Sequence, residues 1–261
     1  MKITHKFLNI NKTNNPFNWD QDFYSENAIL KSTKIETPEI MILGTFNPNL
    51  STNPADIFYG RNFFWTAFKN LFCYNKIVIY GERLEYCPYD PSLKEIFTII
   101  RKLNLTFSDL IASIFDNYDK NAITVRGGKE YVQFNNTEYN PIKDGDLAKL
   151  NRLKKINWNT QNIISYLNEN KKLRKIYLTR QANQCWAEQT SLIKQAIPEI
   201  QIIPIYTPSA QGGAVHQQTG IYNNGKMTPL LSHWVHNNEG NFGNLNHNNW
   251  LTNNDVNIYN F

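Results

Sequence analysis

Four short stretches hold residue types that can do chemistry. Gly44-Thr-Phe-Asn-Pro48 is a Gly-to-Pro turn that fixes a loop backbone and leaves its amides, such as those of Thr45 and Phe46, free to point at a ligand. Asn47 projects from that turn, and a side-chain amide can hold and orient a water without carrying charge. Asp109, inside Leu105-Thr-Phe-Ser-Asp-Leu-Ile-Ala-Ser113, offers a carboxylate that only accepts hydrogen bonds when ionised. Between them, Phe58-Tyr-Gly-Arg-Asn-Phe-Phe-Trp65 crowds aromatic rings around Arg61 and Asn62, with Phe58 or Tyr59 placed to stack on a flat ligand. Finally, Tyr206-Thr-Pro-Ser-Ala-Gln-Gly-Gly213 carries hydroxyls and backbone amides on a Pro- and Gly-shaped loop that can grip phosphates, with His216 just downstream. Each has a plainer reading. Asn-Pro is common turn chemistry, Asp109 can cap a helix starting at Leu110, Phe64 and Trp65 suit core anchors, the 206–213 stretch suits a surface loop, and a lone His is more often structural.

The elements that must position these residues read as alternating strands and helices. Glu39 to Gly44 is a short apolar run stopping at a glycine, which predicts a buried strand opening into a loop at its C-terminal end. Helical spacing of large apolar residues runs from Phe64 to Phe72, and Pro91 to Glu95 starts a helix whose apolar face is Leu93, Ile96, Phe97, Ile100 and Leu103. After an aperiodic excursion or insertion over 116–150, the pattern predicts a helix over 160–167, a strand over 175–179, a helix over 181–195 and a last strand over 200–205. Residues 1–37 read as an irregular, Asn-rich lead-in, and the tail beyond about 237 as Asn- and Gly-rich. Such alternation predicts right-handed crossovers with helices on both faces of a sheet.

Composition sets the class. A chain of 261 residues with 41% hydrophobic residues is long enough for one large domain and argues against disorder. The net charge of +5 permits a polyanionic partner without demanding one. Basic residues gather at Lys171, Lys172, Arg174, Lys175 and Arg180, with smaller groups at Arg101-Lys102 and Lys154-Lys155. Singly these read as solvated surface; together they offer salt-sensitive phosphate attraction. Three scattered cysteines, Cys73, Cys87 and Cys185, read as reduced thiols of a cytoplasmic protein, and no stretch approaches the roughly 18 apolar residues a membrane span needs.

The strand ending in Gly44, the Asn47-Pro48 turn, the aromatic loop and the Arg61-Asn62-x-Phe64-Trp65 run together resemble the first motif of the uracil-DNA glycosylase superfamily, nearest its hypoxanthine-DNA and mismatch-specific branches. The loop differs by one extra residue between Gly44 and Asn47 and by a shorter spacing from Tyr59 to Arg61. Tyr206 to Gly213 is similar to the family's Pro/Ser-rich backbone-pinching loop, and Leu105 to Ser113 to the segment that supplies the base-reading residue. The resemblance spans about Glu39 to Gly213 and implies one α/β domain: a three-layer α/β/α sandwich around a central four-stranded parallel sheet.

It implies a monomeric monofunctional DNA glycosylase acting on single- or double-stranded DNA, with no metal, organic cofactor or membrane involved. A nucleotide is flipped into a pocket; Tyr59 or Phe58 stacks on the base alongside Thr45 and Phe46, Asp109 reads its edge, and Asn47 positions water at C1′. Arg61, Asn62, Thr207, Ser209 and Gln211 hold the DNA, and His216 is a further candidate to assist the departing base. Relatives selective for uracil carry Asn where this chain has Asp109. A carboxylate suits an N–H-bearing edge and repels uracil O4, so a deaminated purine or a modified cytosine is the expected substrate, in DNA repair or in defence against phages. The competing readings are a non-catalytic reader of a modified base, a nucleoside or nucleotide N-glycosidase, and a structural α/β protein with chance motifs.

Overall fold

The computed structural model describes residues 2–51, 53–58, 92–115, 123–127, 129–134, 137–139, 144–180, 182, 184–204, 241–242 and 245–246. The expected helix over 64–72 lies outside them. Where an irregular lead-in was expected, the chain instead forms three strands: β1 (Lys2–Thr4), β2 (Phe23–Glu26) and β3 (Ile29–Ser32). A two-residue turn joins β2 to β3, with Asn27 at φ 51° and Ala28 at φ 54°. Two positive φ angles give the turn a twist that matches paired strands, but an alanine there hides the usual Asn-Gly signature.

The sheet centre is β4 (Ile40–Gly44), every residue of which is buried. Helix α1 (Leu93–Lys102) follows, starting at Ser92, whose hydroxyl accepts from the Glu95 amide while the Glu95 carboxylate accepts from the Ser92 amide. Next come β5 (Leu105–Asp109) and, after the single residue Leu110, β6 (Ile111–Phe115). The apolar stretch over 105–114 is therefore two strands in different sheets. The expected insertion over 116–150 contains an antiparallel meander, β7 (Ile123–Arg126), β8 (Lys129–Phe134) and β9 (Thr137–Tyr139), then most of helix α2 (Asp144–Arg152). Strand β10 (Ile156–Trp158), helix α3 (Thr160–Glu169), strand β11 (Lys175–Leu178), helix α4 (Gln184–Ala196) and strand β12 (Gln201–Pro204) complete the main body. In the tail, β13 (Asn241–Phe242) pairs with β14 (Leu245–Asn246).

The main sheet is mixed and six-stranded, in the order β12-β11-β4-β5-β3-β2. The β12–β11, β11–β4 and β4–β5 pairs are parallel, and β3 and β2 add antiparallel pairs at one edge. Where a four-stranded parallel sheet was expected, the sheet is mixed and six-stranded, and two of its strands come from the β2–β3 hairpin within residues 1–37. A second, antiparallel sheet runs β1-β6-β10. Side chains alternate across the main sheet. Met41, Leu43, Ile176 and Leu178 share a core cluster with Ile163 and Leu167 of α3 and Trp186 and Ile193 of α4. The opposite face carries Phe107 under an aromatic layer in which Phe97 of α1 stacks on Phe23 at 4.3 Å and Trp19 lies 6.0 Å from Phe97. Arg101 ties this layer down by pairing with Asp20 at 2.6 Å and Asp22 at 3.2 Å. A hydrogen bond from Lys34 and the nearby Arg101 charge hold the Asp22 carboxyl below its ordinary range. No helix among the described residues is long and apolar enough to cross a membrane.

Candidate functional site

Gly44 and Asp109 are register partners at the C-terminal ends of adjacent parallel strands, the end of an open α/β sheet where ligands bind. The loop leaving Gly44 brings Asn47 back over Asp109, and its Nδ2 donates to Asp109 Oδ2 at 2.7 Å. A carboxylate can only accept, so the amide must present its NH2 side to it, leaving the Asn47 carbonyl oxygen turned the other way. The same Oδ2 also accepts from His5 Nε2 at 2.7 Å. His5 and Asp109 are each only 1% exposed. The Phe7 amide donates to His5 Nδ1 at 3.0 Å, so Nδ1 is the bare nitrogen and Nε2 carries the proton that faces the carboxylate.

The backbone around this group is laced from several directions. The His5 amide donates to the Ala112 carbonyl at 2.8 Å, Lys6 to Asn47 at 2.7 Å, and Asn49 to Thr4 at 2.9 Å, so residues 4–6 run as an extra strand against the Asn47 loop. Lys6 Nζ adds a bond to the Asn53 carbonyl, and burial holds this ammonium below its ordinary range against the opposing pull of Asp56. At the exit of β5, the Leu110 and Ile111 amides donate to the Gly44 and Thr45 carbonyls at 3.1 and 3.0 Å. Asn159, fully buried, donates through Nδ2 to the Asp109 carbonyl at 3.1 Å and to the Asn27 carbonyl at 2.6 Å.

Of the residues expected to form a site, Asn47 and Asp109 meet directly, with Thr45 and Phe46 half-buried on the same loop and the Phe46 ring 6.1 Å from His5. Phe58 does not fit its expected role of stacking on a ligand. It is 0% exposed, enclosed by His5, Phe7, Trp19 and Phe107 at ring separations of 5.0 to 6.4 Å. Asp109 is not a helix cap, since a strand follows Leu110. Tyr59, Arg61, Asn62, Thr207, Ser209, Gln211 and His216 lie outside the described residues.

Sequence reasoning missed His5. Its signal was the alternation Ile3, His5, Phe7, all buried, against Lys2, Thr4 and Lys6, which are more exposed: a period of two marking a strand-like segment with an inward histidine. The main basic cluster is split between the two ends of the sheet: Arg180 follows the C-terminal end of β11, where Leu178 pairs with Leu43 beside Gly44. Lys175 pairs in register with Ile40, at the opposite end of the strands from Gly44, about 13 Å away at the rise of an extended chain. Lys171, Lys172 and Arg174 precede it, and Arg174 is paired with Glu199 at 3.2 Å.

Comparison of the chain with protein-family models, with curated proteins and with solved structures gave no match.

Proposed function

We propose that this chain is a DNA glycosylase that hydrolyses the N-glycosidic bond of a base rotated out of the DNA stack, leaving an abasic site. The parallel strands β12-β11-β4-β5 with helices packed on both faces would form its three-layer core. The observation that carries the reading is the Asn47–Asp109 hydrogen bond: residues 62 positions apart converge at the C-terminal ends of β4 and β5. With its NH2 side anchored, the Asn47 carbonyl is a fixed, uncharged acceptor for a water. In the reaction, the C1′–N bond breaks and its electron pair leaves with the base. The water oxygen then forms the new bond to C1′, and the proton it sheds ends on the released base or in solvent. Donors facing the departing base would stabilise its developing charge.

Burial recasts Asp109. Its Oδ2 already serves Asn47 and His5, so its first task in this reading is to set the Asn47 amide. Any base recognition falls to its other oxygen, also an acceptor, which favours a deaminated purine or a modified cytosine over uracil. The DNA-gripping and base-stacking roles then belong to Arg61, Asn62, Thr207, Ser209, Gln211 and Tyr59, with His216 near the leaving base. Either repair or phage defence would use such a product.

The test is base release from single- and double-stranded DNA containing uracil, hypoxanthine, 5-hydroxymethylcytosine or its glucosylated form. Release of one base, reduced by about 10²-fold or more in Asn47→Ala, is expected from loss of the positioned water. Tight binding without release by the wild type would instead mark a non-catalytic reader, and equal activity on free nucleosides would remove DNA from the reading.

A further inference from the structure

We infer that His5 is a positioning residue for this reaction, locking the Asp109 carboxylate so that it can aim the Asn47 amide. The inference rests on the glycosylase reading for its kinetic consequence, but not for its geometry. Asp109 Oδ2 takes both donors at 2.7 Å, so the direction of the Asn47 amide depends on where that single oxygen is held. Asp109 has a carboxylate that could swing about its own side-chain bonds; His5 removes that freedom. Its ring in turn has little freedom left. Nδ1 accepts from the Phe7 amide, Nε2 donates to Asp109, and the ring packs between Phe7 at 5.8 Å, Phe58 at 5.6 Å and Phe46 at 6.1 Å.

The backbone supports the same purpose. The Thr4 carbonyl and the Lys6 amide flank His5 and bond to Asn49 and Asn47, so the segment carrying the imidazole is tied to the loop whose amide it orients. Phe58 acquires a role through this arrangement, as a wall of the His5 pocket in place of a stacking platform. A chain of histidine, carboxylate and amide with fixed donor order is a preorganised support for one water-binding oxygen, in a setting where an error on the order of 1 Å costs about 10²-fold in rate.

The experiment compares wild type, His5→Leu and His5→Gln, the last retaining an N–H donor. Three readouts are followed: single-turnover base release, DNA affinity, and the Asn47 side-chain amide signals by NMR. His5→Leu is expected to slow release roughly 10- to 100-fold with affinity within about twofold, to shift or broaden the Asn47 amide signals, and to be partly rescued by His5→Gln. A folded His5→Leu protein with wild-type release and unchanged Asn47 signals would overturn the inference. If the wild type releases no base from any substrate, the glycosylase reading fails by itself, and the Asn47 signals alone decide whether His5 holds the amide. Should His5→Leu fail to fold, the wild-type imidazole 15N signals decide: a protonated Nε2 with bare Nδ1 supports the lock, and the reverse tautomer sinks it.

Discussion

At the scale of single residues, the site is organised around one oxygen atom. His5 and Asn47 both donate to Asp109 Oδ2, and that convergence makes the two simplest substitutions of Asp109 unequal. In Asp109→Ala both donors lose their acceptor, and the His5 donor is buried with nothing to replace it. An unsatisfied buried donor costs about 1–3 kcal/mol, so a loss of roughly 2–4 kcal/mol is expected once the missing Asn47 contact is included. Asp109→Asn can turn its carbonyl oxygen to the place of Oδ2 and accept from both, and should lose no more than about 1–2 kcal/mol, mainly the strengthening that charge gives a hydrogen bond. Urea unfolding of the two variants separates the cases. Equal losses would mean that the donors do not depend on that oxygen. The sequence made Asp109 visible as an acceptor but not its company, because His5 stands 104 positions away and no local pattern links them.

At the scale of elements, what could be read from the sequence was whatever is decided locally. Helix α1 starts where Ser92 and Glu95 cap each other, and β4 is an uninterrupted apolar run, so both were legible from neighbouring residues. The β2–β3 hairpin was not. Its turn places Ala28 at φ 54°, a conformation alanine avoids by itself, and the turn is held from outside: the Ala28 amide donates to the Leu8 carbonyl, and Asn159 donates to the Asn27 carbonyl. The Asn47–Asp109 pair was half legible, as two residue types suited to one chemistry whose contact only the β4–β5 register reveals. Asn159 stitches the hairpin turn to the β5–β6 junction with one side chain, so its removal should loosen two elements at once. Asn159→Ala leaves two carbonyls without this donor, and a loss of about 2–4 kcal/mol is expected. Hydrogen exchange should show protection falling together in β2–β3 and at the start of β6. A loss confined to either one would mean that the elements are held independently.

At the scale of the whole molecule, the exposed Lys171–Lys172 pair and the candidate site sit at different ends of the sheet. The candidate site lies at the C-terminal ends of the parallel strands, whereas Lys171 and Lys172 precede the N-terminal end of β11 and are exposed there. DNA held over Asn47 and Asp109 would therefore leave those two lysines beyond the bound backbone. Screening reinforces the separation, because exposed charges farther apart than about 8–10 Å interact weakly at physiological salt. The net charge of +5 then describes the surface as a whole and says little about where a nucleic acid rests. Reversing both charges, in Lys171→Glu with Lys172→Glu, should leave DNA affinity at about 0.15 M salt within roughly twofold and the slope of log affinity against log salt unchanged. Each phosphate contact removed lowers that slope by about 0.9 on duplex DNA, so two lost contacts would lower it by nearly 2. A change of that size would place the DNA across the opposite end of the sheet and separate it from the Asn47–Asp109 pair.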